Sequence, residues 1–244
     1  MLISMSLLLV AMSGSVASGQ GSNQAPAPPV SEVVQKMVEH NEARASRLRY
    51  YTSQRHYHLE YHGFPKSADA TMDVEATYDA PSKNFRVVSE SGSRKIIDHV
   101  FKKLLKAEQD AAGEKRESAL TPANYDFALL DTTTEDGRRL FVLKVDPRQP
   151  RKYLFRGRIW VDADDYAVAR LEAQPAQSPS FWIRDTEIRH QYSKMGDFWL
   201  PTQNTTVTKV RLGGTATLTI EYAQYQFQSA TSQSANSANL APGR

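Results

Sequence analysis

Residues Tyr50–Tyr61 read YYTSQRHYHLEY, and their polarity repeats every second residue. Tyr57, Leu59 and Tyr61 fall on one side; His56, His58, Glu60 and, just beyond, His62 fall on the other. A period of two is that of a strand with one buried face. The same alternation returns along most of the chain, so this reading decides the fold. In ATMDVEATYDA (Ala70–Ala80), Met72, Val74, Ala76 and Tyr78 alternate with Thr71, Asp73, Glu75 and Thr77. After the turn DAPSK, NFRVVSES (Asn84–Ser91) places Phe85 and Val87 on one face. These are three consecutive half-buried strands.

Helical periods flank them. PPVSEVVQKMVEHNEARASRL (Pro28–Leu48) sets Val30, Val33, Val34, Met37, Val38, Asn41, Ala45 and Leu48 near one face, with a start signal at Pro29, Ser31 and Glu32. SRKIIDHVFKKLLKAEQDAA (Ser93–Ala112) carries Ile96, Ile97, Val100, Phe101, Leu104 and Leu105 on one stripe opposite its lysines, the strongest helical pattern in the chain. The charged GEKRESALTP that follows reads as a loop or a fraying end. From Tyr125 onward come YDFALLD, RRLFVLKVDP, RKYLFRGRIWVD, YAVARLEAQ, SFWIRDTEIRHQYSK, FWLPTQNTTVTKVRL and TATLTIEYAQYQFQ, separated by short turn-forming breaks such as TTEDG, DPRQP, DADD and LGGT. Breaks this short force antiparallel neighbours, because parallel strands need a long crossover.

The predicted fold is mainly β (α+β): an antiparallel curved sheet or unclosed β-barrel of about ten strands, with two or three helices lidding the concave face. One interior is expected. It is lined by Tyr57, Leu59, Tyr61, Met72, Val74, Tyr78, Phe85, Val87, Phe127, Leu129, Phe141 and Leu143, with Ile97, Val100, Phe101 and Leu104 from the second helix.

The ends and the composition bound the rest. Residues 1–19 look like an export signal, with an apolar run at Leu7–Met12 followed by small residues, although no Lys or Arg precedes that run. The run is too short to span a bilayer, which takes roughly 20 residues. Residues 20–29 read as a Gly/Pro/Ala/Gln linker, 30–228 as one domain, and 229–244 as a disordered tail. The expected protein is therefore exported, soluble and periplasmic. The net charge of +3 is too small to argue for nucleic acid. The absence of cysteine removes disulfide frameworks, thiolate zinc sites, thiol catalysis and a lipid-modified cysteine anchor together.

Catalytic patterns are missing. There is no G-x-S-x-G, H-E-x-x-H or P-loop. His56, His58, Glu60 and His62 share a strand face and suggest metal ligation, but the opposite face is the apolar one, so the histidines are read as the outer, wet side. Asp162, Asp164 and Asp165 lack the spacing and glycine of a calcium loop and are read as a hairpin turn with Asx-type hydrogen bonds. RKYLFRGR interleaves cations with aromatics and is read as a solvated face. No metal, cofactor or catalytic residue is expected.

Three stretches resemble the LolA/LolB-like lipoprotein-carrier superfamily. FVLKVDP (Phe141–Pro147) is similar to its F-x-L-x-x-x-P strand, RGRIWVDADDYAVARLEA (Arg156–Ala173) to its W-V-D hairpin, and MGDFWLPTQNT (Met195–Thr205) to its G-x-x-W-x-P strand start. Ala167-Val168-Ala169 departs from the pattern, which often has a proline before the basic residue. The resemblance implies an apolar cavity that holds the acyl chains of lipids or lipoproteins, in a monomeric carrier or sensor that is not an enzyme. It also implies a cavity arginine that holds a lid shut; Arg86, Arg156 and Arg158 all qualify, and none is assigned. The alternative is a regulatory protein on the same fold acting on a membrane partner. A third reading is a metal-dependent enzyme using the histidine ladder. Each buried CH₂ of a lipid tail releases about 0.8 kcal/mol, so such a hollow needs no catalytic motif.

Overall fold

A computed structural model of the chain describes residues 27–110, 119–151, 153–178, 183–211 and 213–227. The expected leader, most of the linker and the tail lie outside the described residues. Helix α1 (Val30–Arg47) precedes strands β1 (Tyr50–Gly63), β2 (Ala68–Asp79) and β3 (Ser82–Gly92). A second helical segment follows in three parts: α2 (Arg94–Ile96), a π-helical turn (Ile97–Phe101) and α3 (Lys102–Asp110). Seven strands complete the chain: β4 (Tyr125–Glu135), β5 (Arg138–Pro147), β6 (Phe155–Asp162), β7 (Val168–Pro175), β8 (Ile183–Met195), β9 (Phe198–Val210) and β10 (Gly214–Phe227).

The ten strands form one antiparallel sheet in the order β3-β2-β1-β10-β9-β8-β7-β6-β5-β4. The sheet is open, as the short breaks require. Its order adds one long-range pairing: β1 lies against β10, with Tyr57 opposite Ile220 and Leu59 opposite Leu218. The consecutive strands β3 and β4 therefore sit at opposite edges. The chain between them, which includes the α2–α3 segment, connects one edge of the sheet to the other.

Turn chemistry sets the registers. Asp136 and Gly137, both at positive φ (50° and 77°), make the two-residue β4–β5 turn that the EDG signal announces. Gly157 is needed for close approach: a Cβ there would lie 2.2 Å from the Glu172 carbonyl oxygen on β7. Strand β6 begins at Phe155, later than its sequence suggests, because Leu154 N–H donates to Arg151 O in a turn.

Residues in direct register share a face, so a row can be followed across the sheet. Tyr57 faces Ile220, then Asn204, His190, Leu171, Ile159, Leu143 and Leu129. Both helices pack on this inner face. Val33, Val34 and Met37 of α1 join Phe141, Leu143, Val145, Ile159, Val161 and Tyr125 in one buried cluster. Ile97, Phe101 and Leu105 join Tyr57, Leu59, Ala70, Met72 and Val74 in a second.

The single interior expected from sequence is thus two. Strand β9 divides them, because Asn204, Thr206 and Thr208 occupy its inner face where an apolar residue would have joined the halves. The second helix is also not a plain α-helix. Its π turn leaves Ile97, Phe101 and Leu105 buried and turns Leu104 outward, 38% exposed.

Candidate functional site

The histidine ladder lies on the outer face. His56, His58 and His62 alternate with buried Tyr57 and Leu59, and their side chains are 39–74% exposed. His56 Nδ1 pairs with Asp73 Oδ1 at 2.7 Å, and the Ser89 hydroxyl donates to the other oxygen of Asp73. The serine thus bonds the carboxylate and not the imidazole, which is not a nucleophile–base arrangement. Among the described residues no group of three or more His, Asp or Glu is placed to hold a metal ion.

The aspartates of VDADDY build a structural hub. Asp162 is fully buried; its Oδ1 accepts from the backbone N–H of Asp164 and Asp165, and Arg138 Nε donates to its Oδ2 at 2.6 Å. Asp165 accepts from Trp199 Nε1 at 3.0 Å and pairs with Lys194 and Arg138. Burial pushes its carboxyl up, but these partners outweigh it and hold the group below the usual carboxylate range. The Asp165 carbonyl also receives Arg44 of α1 at 2.7 Å. The turn therefore docks the C-terminal half of α1 through polar contacts, and Ala45 stays exposed although the helical pattern put it on the buried face.

The expected cavity residues separate into groups. Tyr57, Leu59, Met72, Val74, Ile97 and Phe101 are brought together in one cluster, with Tyr61, Phe85 and Val100 at its margin. Phe141 and Leu143 belong to the other cluster, with Phe127 and Leu129 at its margin. Tyr78 joins neither and stacks on Tyr51 at 5.3 Å. Val87, on edge strand β3, is 38% exposed and joins neither cluster.

Two features of the inner face escaped the sequence reading. The first is Arg55, which is 4% exposed and shares the parity of Tyr57. Its guanidinium donates to Glu108 of α3 at 2.8 and 3.3 Å and stacks 5.0 Å from the rings of Phe85 and Tyr222. Lys83 adds a second cation to Glu108 at 2.7 Å. Burial alone would lower the Arg55 pKa and raise that of Glu108; their mutual bonds reverse both, so the arginine is raised and the carboxyl lowered. Of the three arginines weighed from sequence, Arg86 pairs with Glu75 on the exposed outer surface. Arg156 and Arg158 are likewise exposed. The signal for Arg55 was its place two residues before Tyr57 in the same alternation.

The second feature is the wall between the clusters. Ile188 on β8, Thr206 on β9 and Leu218 on β10 lie in register, flanked by the row His190, Asn204 and Ile220. All six are half-buried. Leu218 and Ile220 touch the second cluster and Ile188 the first. This wall is the part of the inner face that neither helix closes. It can take an apolar chain laid across the strands beside His190 and Asn204.

A family profile described as a family of unknown function, DUF5686, matches residues 118–227. No curated protein matches the chain. Among solved structures the chain is similar to a DUF1329 family protein from Desulfovibrio piger, with 13% identity, a TM-score of 0.41, and 84% of this chain and 95% of that one covered. It is also similar to a LolA superfamily protein from Nitrosomonas europaea, with 10% identity, a TM-score of 0.36, and 85% and 97% covered. A domain from Vibrio parahaemolyticus described as an outer membrane lipoprotein-sorting protein has 12% identity, a TM-score of 0.36, and 81% and 94% covered. At these identities the likeness concerns fold alone. No helix among the described residues is long and apolar enough to cross a membrane.

Proposed function

We propose that the protein binds lipid or lipoprotein acyl chains on the inner face of its sheet, as a non-enzymatic carrier or sensor in the periplasm. The observation that carries this reading is the half-open wall of Ile188, Leu218 and Ile220 between two helix-covered clusters. An apolar strip beside amphipathic helices gains about 0.8 kcal/mol for each CH₂ it removes from water. Arg55 and Glu108 supply the latch: an ion pair tying α3 down over the second cluster, beside Tyr222. Lifting α3 would widen the strip toward Tyr57 and Met72. The periplasmic assignment rests on the export pattern of residues 1–19.

A second reading, an interaction protein on the same fold, has one observation in its favour. A groove of about 520 Å³ runs between α1 and edge strand β4, lined by Val30, Val34, Val38, Tyr125 and Phe127. An apolar helix face beside an open edge suits an extended peptide from a membrane protein.

Native mass spectrometry of protein purified from a membrane-containing extract separates the two. Lipid released on denaturation, or uptake of a fluorescent fatty acid, supports the carrier. A clean apo mass with no uptake rejects it.

A further inference from the structure

Three polar atoms of the inner face are buried without a hydrogen-bond partner: Ser53 Oγ, Arg55 Nε and Asn204 Oδ1. A fourth such atom, Arg170 Nε, belongs to the outer face, where its guanidinium stacks 3.9 Å from the Trp160 ring. Folded proteins keep few such groups, and each asks for a reason. The three are linked through Tyr222. Ser53 and Arg55, 3% and 4% exposed, are neighbours on one face of β1. Tyr222 of β10 stands opposite Arg55 in register, and Asn204 of β9, one register row over and opposite Ile220, donates from Nδ2 to the Tyr222 hydroxyl at 2.8 Å. Directly beside the row run Tyr57 opposite Ile220 and Leu59 opposite Leu218, the start of the apolar wall. The inner face is therefore amphipathic along the strands: an unmet polar row at one end, an apolar strip leading from it.

We infer that the row Ser53–Arg55–Tyr222–Asn204 receives the head of an acylated ligand, and that this head is uncharged and carries a carbonyl beside a hydroxyl or N–H. The inference rests on the acyl-chain reading of the same face and adds the chemistry of the polar end. Arg55 Nε–H and the Ser53 hydroxyl are donors that a carbonyl oxygen answers. Asn204 Oδ1 is an acceptor that an O–H or N–H answers.

Charged heads fit poorly. The Glu108 carboxylate lies 2.8 Å from the guanidinium, so an anion placed at Arg55 Nε would meet that carboxylate and Asn204 Oδ1. A cationic head would meet the guanidinium. Burial raises the Tyr222 phenol, which stays a neutral hydroxyl. The matching chemistry is that of an acylglycerol or an N-acyl amide. Glu108 holds the outer nitrogens of the same guanidinium and leaves Nε as its unmet donor.

The test is calorimetric titration of the intact protein with 1-oleoylglycerol, N-oleoylethanolamine, oleate at pH 8 and 1-octadecene. At least one of the two neutral amphiphiles is expected to bind about tenfold or more tighter than oleate and octadecene, because a site built of hydrogen-bonding groups rejects ligands that cannot answer them. Which of the two binds tighter tells an ester source from an amide source. Ser53→Ala deletes an unmet atom and is expected to melt no lower than wild type. Asn204→Leu also removes the Nδ2 bond to the Tyr222 hydroxyl and is expected to melt lower. Both are expected to narrow that preference. Equal binding of all four ligands, tightest binding by oleate, or a preference kept in both variants overturns the head-group inference and leaves the acyl-chain reading standing. Binding of none overturns both.

Discussion

Arg55 is the side chain on which the inner face turns. It is a cation on a strand face otherwise occupied by Tyr51, Tyr57 and Leu59, and a buried charge survives only when paired. Replacing it with methionine would leave Glu108 facing an apolar cluster with Lys83 alone. The Glu108 side chain is about one-third exposed, so the expected destabilisation falls toward the low end of the range for broken buried pairs, about 2–3 kcal/mol. Arg55→Met combined with Glu108→Leu should recover most of that loss in denaturant melts. A double variant no more stable than the single one would remove the pair from the argument. Arg55 was legible by parity: the alternation that put the histidines outside puts it inside. It was overlooked because a charge in a strand is ordinarily solvated, and its partner lies 53 residues away. The histidines mislead in the opposite sense, since their chemistry draws attention to the solvated outer face.

Among the elements, the inserted helix with its π turn at Ile97–Phe101 is the one expected to open first. It packs through Ile97, Phe101 and Leu105, while its other side carries solvated pairs such as Lys102–Asp98. Surface pairs of this kind add little. The helix is held by Ile97, Phe101 and Leu105, by Ile96 and Val100 at the margin, and by ion pairs of Glu108 with Arg55 and Lys83 and of Lys102 with Glu90, against the full ladders that hold β1 between β2 and β10. Amide hydrogen exchange should show α3 opening well before those strands. Phe101→Ala is expected to cost about 3–5 kcal/mol by the cavity it leaves and to speed exchange in α3 selectively. Equal protection of α3 and β1 in wild type would mean the helix is core and not lid. Ten strands, most of their turns and the two helical stretches could be read from periodicity and turn residues, because those signals are local, while the ends of β4 and β6 shifted by several residues. The β1–β10 pairing and the split at β9 could not. Both depend on register between segments some 150 residues apart, and Asn204, Thr206 and Thr208 look like any polar strand face until their neighbours are known.

For the whole molecule, the ionisable groups make stability fall toward acid. His190 is buried and its imidazole is pushed below the ordinary value of 6.5, so below that pH the unfolded chain takes a proton that the folded one refuses. Stability drops from there until the folded value is reached. Glu108 and Asp165 are held below the carboxylate range, so their contribution is complete above about pH 4.5 and is lost as the pH falls through their folded values. Melting temperature plotted against pH should thus decline in two stages. His190→Gln should flatten the upper stage alone, and Glu108→Gln should reduce the lower one. A wild-type curve flat from pH 7 to 5 would contradict the buried, neutral His190. The acyl-chain reading itself stands or falls on where a chain lies. Photo-cross-linking with a diazirine-bearing fatty acid, followed by peptide mapping, locates it directly. The expected adducts fall on β8, β9 and β10 at Ile188, Thr206, Leu218 and Ile220, and they are competed away by excess unlabelled lipid. Adducts confined to exposed outer positions such as Phe64 and Val88, or adducts that excess lipid does not displace, would contradict it.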